Sequence, residues 1–255
     1  MDNFRRSQYR ETPNNRFQKY GITVRDDGFV DGPKRPASFG KTPKFKFEDS
    51  KQSVLEPEVT FLLDNFGKRF SIAEHQAEVL RVVDRIFQEI TGISYKEFSN
   101  IIVMSVEDFD EYKRVTASMR KQDRGISGDF QGINLGGLIM VQDTGGDNCF
   151  PLLFHELGHT LYPDEHDNYI DEFRAMYFQI LCTKKFEKEL GKIGLNVSYL
   201  DDFYEGLPLP TEEHRKAFYD ARALFVFQTQ NGMIEKGSPY TKEGMKEFQE
   251  IIKQD

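Results

Sequence analysis

The stretch from Leu138 to Gly191 constrains the fold more than any other part of the chain. It opens with the apolar run LIMVQ, passes through TGGD, and continues as PLLFHELGHTLY with apolar residues at helical spacing. Pro151 falls near the first turn of that helix, where its missing N–H costs nothing. The helix is expected to stop around Tyr162 and Pro163. A polar loop, PDEHDN, then leads to a second helical pattern from about Tyr169 to Leu190, closed by Gly191. A strand followed by two helices with so short a break requires the helices to pack on each other and on the sheet.

The rest of the body fits around this unit. VTFLLDNF (59–66) is short, apolar and β-branched and reads as a strand. Ser71 and Glu74 form a capping-box pair ahead of a helix with Ile72, Val79, Val82, Val83, Ile86 and Ile90 on its apolar side, ended by Gly92. IIVMSV (101–106) reads as a buried strand and residues 107–122 as a charged helix. The Gly-rich segment 125–143 reads as a loop with one or two strands, the clearest being Leu138 to Gln142. Residues 211–230, with a Thr cap, and 241–253 read as helices, and AFYDARALFVFQ (217–228) as core. The order predicts an α+β fold with a small mixed β-sheet and a helical C-terminal half.

Residues 1–52 differ from this body. They hold four of the ten prolines and carry 12 Lys and Arg against 7 Asp and Glu, whereas the remainder carries 22 against 35. Such a segment has little apolar surface to offset its ordering entropy, so it reads as a disordered, mildly basic arm ahead of a folded domain at 53–255. Phe39, Phe45 and Phe47 are candidates for docking part of it. The arm lacks a dense Lys/Arg block, which argues against nucleic acid and leaves a protein partner as its expected contact. No apolar run approaches the ~20 residues that span a bilayer, and MDNFRRSQYRETPNNRF has no apolar signal-peptide region. Cys149 and Cys182 match no zinc-thiolate or disulfide pattern. A reducing cytoplasmic compartment is the expectation from these features.

HELGH carries the chemistry. Residues four apart on an α-helix differ by about 40° around the axis and about 6 Å along it. His155 and His159 therefore project from one face, near enough to bind a single ion. Glu156 lies about 100° round and can reach a metal-bound water as a general base. A chance HExxH arises roughly once per hundred chains of this composition, so its surroundings matter. Gly158 keeps its turn slim and allows close backbone approach. A catalytic zinc takes three protein ligands and keeps one position open. Glu172, on the first turn of the next helix with Ala175 one turn above it, is the leading third ligand. His166 is its chief rival, and Asp164, Glu165 and Asp171 are further alternatives. Tyr162, Tyr169, His214 and Tyr219 are candidates for stabilising an oxyanion, while His75 reads as an exposed helix residue. The strand at Leu138–Gln142 is expected to be the sheet edge beside the cleft, open to pairing with an extended peptide.

HELGH followed by DEFRAMYF resembles the zincin peptidases of the gluzincin type, and most closely the ImmA/IrrE-like metallopeptidases. The second helix of that family reads E-x-x-A-x-x-F, matched here by Glu172, Ala175 and Phe178. The resemblance implies a zincin-like domain with an HExxH helix and zinc ligands His155, His159 and Glu172, with Glu156 as base. The longer metzincin signature is not met, because Tyr162 replaces its glycine and Glu165 its last histidine. The resulting expectation is a Zn2+-dependent endopeptidase acting on a protein or peptide substrate. Two alternatives stand beside it: an inactive zincin-fold component of a larger assembly, and a SprT-like protease of DNA-bound proteins.

Overall fold

A computed structural model describes residues 16–25, 30–33, 73–120, 130–144, 146–161, 168–191 and 211–230. Among them are five α-helices and two small sheets, a mixed α+β architecture. In chain order the elements are β1 (Thr23–Val24), β2 (Val30–Asp31), α1 (Gln76–Thr91), β3 (Asn100–Met104) and α2 (Val106–Arg120). They continue with β4 (Gly132–Asn134), β5 (Leu138–Gln142), α3 (Gly146–Thr160), α4 (Asn168–Gly191) and α5 (Glu212–Gln230). None of the described helices is long and apolar enough to cross a membrane.

The three-stranded sheet runs β3–β5–β4, with β3 parallel and β4 antiparallel to β5. This corrects one expectation: Leu138–Gln142 is the central strand, and the edge is the short β4. The physical reason is the hydrophobicity of β5, whose five residues are all buried. A strand apolar on both faces is stable only with cover on both sides and neighbours along both edges.

Because strand side chains alternate, the sheet divides the core in two. Ile101, Val103, Ile139 and Val141 face a cluster built with α1, α3, α4 and α5. Ile102, Met104, Leu138 and Met140 face the other way, against Phe109 and Tyr112 of α2 and against Phe17, Ile22 and Val24. The last three lie in the segment expected to be disordered. Residues 16–25 and 30–33 are instead folded, with a 3-10 turn at Gln18–Tyr20 and the β1–β2 pair. Composition counts apolar residues but not where they land. A sheet face that would otherwise be wet is covered here by three side chains, and burying Phe17 alone contributes about 2 kcal/mol. Phe39, Phe45 and Phe47, the expected docking aromatics, lie outside the described residues, as do 59–66, Ser71, Ile72 and 241–253.

The helices follow the pattern read from sequence, with corrected ends. Val79, Val82, Val83, Ile86, Phe87 and Ile90 form the buried stripe of α1. Gly92 closes it at φ 76°, a left-handed conformation suited to glycine, and its N–H reaches the Gln88 carbonyl at 2.8 Å. Half-buried His75 occupies the N-cap position, ahead of which Glu74 lies outside the helix. Helix α3 begins at Gly146, so Pro151 stands inside it rather than in its first turn. There it forgoes one bond to the carbonyl four residues earlier. In α5, Ala217, Phe218, Ala221 and Leu224 are buried but Tyr219, Val226 and Phe227 are exposed, since a helix on the outside of a bundle buries one stripe only.

Candidate metal centre

Helices α3 and α4 meet at Gly158. A Cβ there would lie 2.6 Å from the Cα of Ala175, so only glycine permits this approach. The contact sets one face of α3 against the first turns of α4 and brings His155, His159 and Glu172 together. Their donor atoms lie within 4.8 Å of one another.

The geometry suits a small ion. His155 Nε2 is 3.2 Å from His159 Nε2 and 3.5 Å from Glu172 Oε2, and His159 Nε2 is 3.8 Å from Glu172 Oε1. Bonds of 2.0–2.1 Å to a tetrahedral ion place donors about 3.3 Å apart. One buried polar atom reinforces the fit, because Glu172 Oε2 has no hydrogen-bond partner. Buried polar atoms are rarely left so. A carboxylate oxygen with no hydrogen bond, 3.5 Å from His155 Nε2, has the capacity to bind an ion.

Neighbouring groups orient these three residues. Asp171 Oδ2 lies 2.9 Å from His159 Nδ1. Accepting the Nδ1 proton leaves the Nε2 lone pair of His159 facing the other donors, as a ligating histidine needs. Asp171, an alternative third ligand from sequence, thus supports a ligand instead. It could have been anticipated from its place beside Glu172 on the first turn of α4. His214, offered for oxyanion stabilisation, has its Nε2 3.1 Å from Glu172 Oε1. Of the other candidates for that role, Tyr219 is exposed and the Tyr169 hydroxyl donates to Asp220. Tyr162, Asp164, Glu165 and His166 lie outside the described residues, so the sequence choice between Glu172 and His166 is met from one side: Glu172 is with the two histidines.

Glu156 is buried on the next face of α3. Burial pushes its carboxyl above the usual range, outweighing the opposing pull of His155 and His159. Burial likewise acts to raise Glu172, but His155, His214 and His159 beside it hold it well below the carboxylate range. For His159, burial alone would lower its basicity. The Asp171 hydrogen bond and the charges of Glu172, Asp171 and Glu156 overcome this and raise it to about 10. Two carboxyl groups on adjoining helices are therefore pushed in opposite directions, one towards the protonated form and one towards the anion. Such divergence is typical of acid–base sites.

Strand β4 closes this side, through two residues that sequence reasoning did not single out. A Cβ on Gly132 would sit 2.5 Å from Glu156 Oε1 and 3.0 Å from its Cγ, so the missing side chain makes the space the carboxylate occupies. Asn134 donates its amide to the Glu156 carbonyl at 2.8 Å and accepts from Gly137 N at 3.0 Å, tying the edge strand to α3. The clue was present in GINLGG, but only the β4–α3 packing gives it meaning. Comparison with protein-family models, curated proteins and solved structures finds no match to this chain.

Proposed function

We propose that the chain is a zincin-like, Zn2+-dependent peptidase. The observation that carries this reading is the convergence of His155, His159 and Glu172, with donor atoms within 4.8 Å of one another and Glu172 Oε2 without a hydrogen bond, beside Glu156 on the adjoining face. Three protein donors leave one position open, as catalytic zinc sites do. When bound, zinc supplies Lewis acidity to a peptide carbonyl and lowers the pKa of a bound water.

The remaining work falls to the chain's own residues. Glu156, its basicity raised by burial, accepts a proton from the attacking water and passes it to the leaving amine. Gly132 keeps space for that carboxylate. Asp171 holds the His159 ring by its Nδ1–H. The side of β4 away from β5 has no strand paired to it among the described residues. An extended peptide pairing there would lie beside Glu156. Two of the N-terminal cations, Arg16 and Lys19, pair with Asp108 inside the chain, which supports an intramolecular role for that segment over a DNA-binding one.

Metal analysis of the purified full chain tests the proposal. About one zinc per chain is expected, lost in His155→Ala. Glu156→Gln is expected to keep the zinc while cleavage of denatured casein drops by roughly 10²–10⁴. A folded chain that takes up no zinc from buffer containing it would sink the reading.

A further inference from the structure

Glu172 is gripped from one side only. Its Oε1 lies 3.1 Å from His214 Nε2, whereas its buried Oε2 makes no hydrogen bond and has His155 Nε2 at 3.5 Å. His214 is not among the residues whose donor atoms gather within 4.8 Å, so it touches the carboxylate without joining the donor set. Its ring is in turn held from behind. Thr211 Oγ1 lies 2.8 Å from His214 Nδ1 and accepts the backbone N–H of His214 at 3.3 Å. A threonine hydroxyl has one proton to give. A carboxylate oxygen only accepts, so the His214 nitrogen that faces Glu172 Oε1 carries the ring proton, and Nδ1 is free to accept from the Thr211 hydroxyl. The ring proton then sits on Nε2 and points at Glu172 Oε1.

We propose that Thr211 and His214 form a positioning relay for Glu172: the relay occupies Oε1, so that Oε2 alone is offered to the metal. This inference rests on the zinc-site reading above. A carboxylate with both oxygens free can rotate or bind through both, filling the position that a substrate or water needs. One held by an N–H donor at Oε1 presents a single oxygen. The relay also explains why the start of α5, remote in sequence from HELGH, is brought to this centre. Second-layer partners of metal ligands typically change metal affinity by 10–100-fold.

The test uses the full chain, loaded with Zn2+ or Co2+ and titrated against a chelator, with the visible absorption of the cobalt form as a second readout. His214→Ala is expected to weaken zinc binding by about 10–100-fold and to weaken the cobalt bands as Glu172 turns to bind through both oxygens. His214→Gln, whose amide N–H can take the place of Nε2–H, is expected to restore affinity to within about threefold and recover the spectrum. Thr211→Ser against Thr211→Val gives the same contrast without altering the ring, should His214→Ala fail to fold. Unchanged affinity and cobalt spectrum in folded His214→Ala would overturn the relay and leave the metal centre standing. So would His214→Gln behaving like His214→Ala. An unaltered chain that binds neither ion would overturn the metal centre, and the relay with it.

Discussion

Two carboxylates, one on each side of the same sheet, are buried in contrasting ways. Asp108, on the first turn of α2, is almost fully enclosed. Arg16 Nε at 2.5 Å, Tyr20 OH at 2.6 Å, Lys19 Nζ at 2.6 Å and Ser105 Oγ at 2.8 Å surround it. Burial acts to raise its pKa, but these four donors together hold it far below the usual carboxylate range. Glu172 is nearly as enclosed, yet one oxygen has no donor and its neighbours are imidazoles. A saturated carboxylate is a fastener. One left short of a hydrogen bond forgoes about 1–3 kcal/mol, which the proposed metal site would account for.

The sharpest way to break this comparison is to make the same isosteric change at both positions. Glu172→Gln is expected to lower zinc affinity by roughly 10²–10³, near 4 kcal/mol at its upper end. The metal-free chain should unfold within about 1 kcal/mol of the original, because the amide oxygen still accepts from His214 and Oε2 has no hydrogen bond to lose. Asp108→Asn should do the reverse. It weakens the buried acceptor shared by Arg16, Lys19, Tyr20 and Ser105 and costs roughly 2 kcal/mol in denaturant unfolding, limited by the exposure of Lys19 and the remaining Arg16–Glu107 pair, with zinc binding unchanged. Equal losses of stability in the two variants would remove the distinction.

A subtler change sharpens the metal-site half alone. Gly132→Ala places a methyl against Glu156. Turnover is expected to fall about 100-fold with zinc content intact, since the base is displaced and the ligands are not. Loss of zinc in that variant would show that β4 supports the ligands instead. The smallest effect concerns pH. The Asp108 pKa is lowered on folding, so its contribution is complete above the ordinary aspartate value of about 3.9 and fades as pH falls through the depressed folded value. Acid unfolding of the unaltered chain should therefore steepen below about pH 4 and flatten in Asp108→Asn. Parallel acid curves for the two would show that the N-terminal contact is held by Phe17 packing rather than by charge.

Much of the site was legible in the sequence because helices carry their own ruler. HELGH, the spacing of four, the stripe of α1, the Gly92 stop and the α4 limits near Tyr169 and Leu190 are local regularities, set within one or two turns. Other features depended on which surfaces meet. The central place of β5, the ordering of Phe17 and Ile22, and the cavity that Gly132 leaves for Glu156 have no local pattern. Asp171 and His214 look alike to any rule based on spacing, being polar residues early in a helix. One turns to His159 and the other to Glu172 because the packing of α4 on α3 and α5 aims them there.

The sequence by itself determined the pair of histidines, the glutamate beside them and the next helix that would complete the set, since an α-helix's period places those side chains without outside help. Tertiary structure alone decided that Glu172 joins them with one oxygen unsatisfied and that residues 16–24 close the other face of the sheet. Those outcomes depend on contacts between segments 12 to 92 residues apart, where burial of distant surfaces, rather than local periodicity, sets what each group touches.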